Sequence, residues 1–179
     1  MPTPSANALP PRDFATMLAQ EYIRKVSVLY PVLTDTAIFG SLEAAYQHKG
    51  QFCLPSDRWN VRMVLAIALL SRSQAKGDAQ YQNAVLHASA ALEQREAVIQ
   101  PGAIPSVQAV LLLVIYSLLD PSHFNSWFLI GIASRIMVDI GLHQEPPEDQ
   151  RLKSSQVELR RRVFYCVYSL DRLEPKTFK

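Results

Sequence analysis

A chain of 179 residues that is 49% hydrophobic and 19% charged is long enough to bury a real core and too apolar to stay disordered. Its formal net charge of +2 excludes the strongly basic field that by itself holds a protein on nucleic acid. The longest apolar run, Ala109 to Leu119, falls short of the roughly 18 residues that suggest a membrane helix.

The chain starts with a Pro-rich stretch, Met1 to Pro11, that lacks the apolar segment of a signal peptide and reads as a tail over residues 1–12. Asp13 is placed to cap a helix running to about Leu29, where Pro31 prevents continuation. A second helix is predicted after Thr34-Asp35, ending near Tyr46. Ser56 or Asp57 is placed to cap the next, whose Val61, Met63, Val64, Leu65, Ile67, Leu69 and Leu70 leave little polar surface, as in a helix central to a fold. Lys76-Gly77-Asp78 punctuates the chain before an Ala-rich helix from about Ala79 to Val98. Pro101, Gly102 and Pro105 end that block, and Ser106 is placed to cap a run from Val107 to Leu119 that stops at Pro121. A helix from Trp127 to Gly141, an acidic Pro-rich loop from Gln144 to Gln150, and a last helix from about Ser154 to Asp171 complete the series. No segment alternates apolar and polar residues between hairpin turns, so the expected fold is all-α: one compact domain, a bundle of about seven helices.

Angular spacing on the Trp127 helix gathers Trp127, Gly131, Ser134, Val138 and Gly141 on one side, with small residues that permit close approach of another helix. Trp127 is therefore expected to be a buried aromatic. Arg135 and Asp139, four apart on a different side, are placed to pair and to form a polar seam toward a neighbour. Gly141 fits a helix stop and His143 a capping residue just beyond it. On the last helix Leu159, Val163, Val167 and Leu170 form one stripe, extended by Phe164 and shared by Arg160 and Asp171, whereas Arg161 and Arg162 point elsewhere. A partly buried guanidinium needs a carboxylate or carbonyl, and Asp139 is the candidate partner of Arg160. A phosphate-binding role for Arg160-Arg161-Arg162 is the sharper alternative, weakened by their spread around the helix.

Two distant cysteines, Cys53 and Cys166, offer neither a disulfide framework nor zinc-ligand spacing and read as free thiols of a reducing compartment. No nucleophile elbow, phosphate-cradling glycine loop or His-Glu-x-x-His occurs, and Glu148-Asp149 lies in a proline loop, so no catalytic, cofactor or metal residues are assigned and an enzyme is not expected.

The Trp127-x-x-x-Gly131-x-Ala133-x-Arg135 helix ending in Gly141-Leu142-His143, and the Glu158-x-Arg160-Arg161-Arg162-x-Phe164 helix ending in Asp171-Arg172, resemble the regulatory middle domain of fungal zinc binuclear-cluster transcription factors. Tyr30-Pro31-Val32-Leu33, Ala66-Ile67-Ala68 and Gln108-x-x-Leu111-Leu112 are similar to earlier blocks of that family, in the same order. The resemblance implies a regulatory domain over residues 13–173 that is the N-terminal part of a larger helical domain, followed by a tail over 174–179. It implies nuclear regulation of transcription through intramolecular contacts, co-regulator proteins or a small-molecule effector. Zinc and DNA are expected only at a family DNA-binding domain, whose six-cysteine cluster does not precede Asp13 here. The alternative is a helical protein-interaction module acting in trans, or an inactive truncated remnant.

Overall fold

The structure is a computed structural model that describes residues 8–146 and 152–173, with the side chain of Lys49 excepted. Most of the Pro-rich start, the Glu148-Asp149 pair and the tail over 174–179 lie outside the described residues. The fold is all-α, and no strand occurs among the described residues. The helices form two compact units, one of residues up to Leu29 with Leu33–Val98 and one of Tyr30–Val32 with residues from Ile99 onward. Two helices are apolar on almost every side, and each has its own set of neighbours.

In the first unit that helix is α3, and its surroundings are built from capped neighbours. Helix α1 (Arg12–Tyr22) begins after Pro11 and runs into a π-helical turn at Ile23–Ser27, so the expected straight helix to Leu29 is interrupted. Asp13 lies within the first turn and does not cap it. Helix α2 (Asp35–Tyr46) is capped by Thr34, whose hydroxyl accepts from the Ala37 N–H at 3.1 Å. Helix α3 (Pro55–Leu70) uses proline in its first turn, and the Asp57 carboxylate accepts from the Leu54 N–H at 3.3 Å. Every residue of α3 from Val61 to Leu70 is buried, against α1, α2, α4 and α5. Trp59 is fully buried as well.

Asp78 caps α4 (Ala79–Leu92) through the Tyr81 N–H at 2.7 Å. The predicted helix to Val98 breaks after Leu92 and resumes as the short α5 (Arg95–Val98). Ala84, Ala88 and Ala91 form the buried face of α4, which is why α3 and α4 pack closely. Glu21 is buried on α1 and paired with both Arg72 and Lys25 at 2.7 Å. Those two bonds, from Lys25 first, hold its carboxyl below the usual range.

In the second unit the central helix is α6 (Ile104–Leu119), with Pro105 in its first turn. Ser106 does not cap it; its hydroxyl instead bonds the backbone N–H and C=O of Gln100 at 2.9 and 2.5 Å. Gln108 donates to the Val32 carbonyl at 2.6 Å, joining the Tyr30–Val32 segment to α6. Helices α7 (Ser126–Asp139) and α8 (Ser154–Leu173) pack on α6 and on each other. The thiols of Cys53 and Cys166 are free and buried, and burial pushes Cys166 up to about 11.

Candidate functional site

Helix α7 starts at Asn125, whose side chain accepts from the Phe128 N–H at 3.1 Å. It ends at Gly141 with φ +67°, where the Leu142 N–H reaches the Met137 carbonyl and the Gly141 N–H reaches the Val138 carbonyl, each at 3.0 Å. This pair of bonds is a Schellman ending, and the left-handed residue between them is one that glycine adopts without steric cost. His143 lies beyond it, exposed, and makes no bond to a helix-end carbonyl among the described residues. The helix end is satisfied by backbone, which corrects the capping role expected of His143.

The buried stripe of α7 is Ile130, Ala133 and Met137. At about 100° per residue those three lie roughly 80° to 140° from the mean direction of Trp127, Gly131 and Val138. Two faces of this helix are apolar, and the one that packs is not the one with the small residues. Trp127 is 66% exposed, Phe128 62% and Val138 51%, and a Cβ placed on Gly131 would meet nothing within 4 Å. The burial expected of Trp127 is thereby corrected. Arg135 and Asp139 are both exposed, with no ion pair between them, so they form no seam.

Helix α8 buries Val163, Val167 and Leu170 of its predicted stripe together with Cys166, which the stripe did not include, while Leu159 and Phe164 are half-buried. Arg160 is half-buried and donates from Nη2 to the Gly141 carbonyl at 2.8 Å, while its Nε is buried without a hydrogen-bond partner among the described residues. The expected Asp139 partner is replaced by the carbonyl of Gly141 itself, because the chain reversal at this residue turns that oxygen toward α8. Asp171 is exposed, because it lies about 90° around α8 from the mean direction of the buried residues. Arg161 forks onto Glu145 at 3.1 and 3.2 Å, and Arg162 approaches Glu158 at 3.8 Å. The three arginines thus have three different partners.

Arg160 and Arg161, with Leu142, His143, Glu145 and Phe164, line a shallow hollow of about 130 Å³. Beside it Phe164 packs edge-on to Tyr165 and is stacked with Tyr168, and the Arg172 guanidinium lies 5.3 Å from the Tyr168 ring centre. Tyr165 is 63% exposed. The sequence did not point to Glu145, or to Tyr165 and Tyr168 as the two ring partners of Phe164. The only signal for the tyrosines was their position off the apolar stripe of α8.

The Trp127 helix and the Arg160 end of α8 therefore meet in one region: α7, its Gly141 ending and the start of α8. An open apolar face on α7 and a latch from Arg160 to Gly141 suit protein contact. Among the described residues, no cluster of three or more His, Cys, Asp or Glu could hold a metal ion, and no helix is long and apolar enough to cross a membrane.

Residues 19–173 match the model of the fungal specific transcription factor domain. Over 93% of its length the chain is 24% identical to the positive regulator of purine utilization of Emericella nidulans, covering 21% of that protein. It is 31% identical over 79% of its length to protein STB5 of Saccharomyces cerevisiae, covering 19% of it. Against the fusaridione A cluster transcription factor fsdR of Fusarium heterosporum the figures are 29% identity, 92% of this chain and 32% of the relative. The chain thus spans a third or less of the length of these relatives. No solved structure matches it. With the family model spanning α2 to α8 and including both the Trp127 and the Arg160 helices, this chain belongs to the fungal specific transcription factor domain family.

Proposed function

We propose that the chain is a helical regulatory domain of a nuclear transcription factor and that it works by protein contact, without catalysis of its own. The open face of α7 is its docking surface, and the occupant is another helix of the same factor. The observation that carries this reading is the combination of Trp127 at 66% exposure with open space over Gly131. A large exposed aromatic beside a residue without a side chain is what a helix needs to receive a second helix closely. The relatives supply the length for such an occupant, since less than a third of fsdR is matched by this chain. DNA reading and zinc belong to other parts of such a factor, and the chain's +2 charge supports that division of labour.

A reporter assay tests the reading. The chain is inserted between a heterologous DNA-binding domain and an activation domain and compared with an inert helical spacer. The expected result is a several-fold change in transcription caused by this chain. Equal transcription from both fusions would remove the reading.

A further inference from the structure

The first unit contains a hollow of about 500 Å³, within the roughly 300–1,000 Å³ range of small-molecule sites. Its wall combines apolar Leu9, Ala45, Val61 and Ala90 with Arg58 and Arg62, which lie four apart on one face of α3. Arg62 is 8% exposed, an unusual place for a guanidinium, and Arg58 sits exposed at the mouth. Arg62 Nη1 lies 2.8 Å from His87 Nδ1 and 3.3 Å from the Ala8 carbonyl. Because a guanidinium only donates, Nδ1 accepts and the imidazole is neutral. Burial, then the Arg62 charge, pushes His87 down to about 4, which keeps it neutral at physiological pH. Among the described residues of the wall Glu93 is the one acid, against two guanidinium groups.

We infer that this hollow binds a small organic acid, with its carboxylate on Arg62 and Arg58 and its apolar body against Ala45, Val61 and Ala90. The attraction of a desolvated guanidinium for an anion exceeds that of one in water. A carboxylate also forms shorter and roughly twice stronger bonds than a neutral carbonyl, so it displaces the 3.3 Å contact to Ala8. Tyr46 donates to the Pro10 carbonyl nearby, so ligand entry loosens one tie on the Ala8–Pro10 segment and leaves that one in place. The site involves residues of the first unit alone and does not rest on the role given to α7.

Titration calorimetry of the purified full chain at constant ionic strength tests it, with benzoate as probe and benzamide as its uncharged counterpart. One benzoate per chain is expected, with a Kd at least tenfold below that of benzamide. Arg62→Gln should weaken benzoate more than tenfold. Should that variant not fold, two others decide the matter. Arg58→Gln, at an exposed position, should weaken benzoate several-fold and leave benzamide unchanged. Ala90→Phe, which fills the hollow, should remove saturable binding of both probes while keeping the helical spectrum. Benzoate that does not saturate, that binds no tighter than benzamide, or that is insensitive to either of these two variants overturns the proposal.

Discussion

Trp59 and Trp127 are alike in chemistry and opposite in environment: one is fully buried on α3 and the other is 66% exposed on α7. Trp59→Ala should therefore cost about 3–5 kcal/mol of stability, as truncation of buried aromatics does, and Trp127→Ala should leave the urea midpoint nearly unchanged. Equal losses would place Trp127 in the core. At Arg160 the bond to the Gly141 carbonyl is charge-assisted, so Arg160→Met should cost about 1.5–3 kcal/mol. Asp139→Asn should have no measurable effect on the midpoint, in the wild type or on top of Arg160→Met, because no bond joins the two residues. That Arg160 needs a polar partner was legible from its place among Val163, Phe164 and Val167. Which oxygen supplies it was not, because a backbone carbonyl carries no residue signature.

At the scale of elements, the helices of both units were readable because prolines, glycines and caps mark them chemically. Asp78 shows how strongly one cap is specified: its carboxylate accepts from the N–H groups of Tyr81, Gln74 and Ala75 and from the Ser73 hydroxyl. These bonds, that from Tyr81 first, hold it down to about 2, from 3.8. A depressed folded pKa adds stability that is fully present above the unfolded value and is lost as pH falls through the folded one. The midpoint difference between wild type and Asp78→Ala should thus be constant above pH 4 to 5 and narrow as pH approaches 2. A difference that grows on acidification would contradict the bonding described. Two glycines of the α7 region separate in the same way. Gly141→Ala should cost about 1–2 kcal/mol for its left-handed backbone, whereas Gly131→Ala, inside the helix with open space around it, should stabilise by about 0.5–1 kcal/mol. What spacing did not reveal was which face of α7 packs. Ile130, Ala133 and Met137 make as good an apolar stripe as Trp127, Gly131 and Val138, and only the positions of α6 and α8 choose between them.

On the scale of the whole molecule, the all-α class was legible from the absence of alternation, but the division into two units was not. Two helices apolar on nearly every side, α3 and α6, read equally well as the centre of one core or of two. The proposed regulatory role puts function on a surface that folding leaves open, so function and stability should separate there. The most direct measurement combines transcription from the inserted reporter fusion with the urea midpoint of the purified chain, for wild type and Gly131→Arg. A Cβ at this exposed helical position meets nothing within 4 Å, so a flexible arginine is accommodated there, yet it blocks close approach of another helix. Gly131→Arg should bring transcription to the level of the inert spacer without lowering the midpoint, which should rise slightly because arginine favours a helix over glycine by about 0.5–1 kcal/mol. Regulation that persists in this variant, or a midpoint that falls together with it, would contradict the assignment of the α7 face as the docking surface.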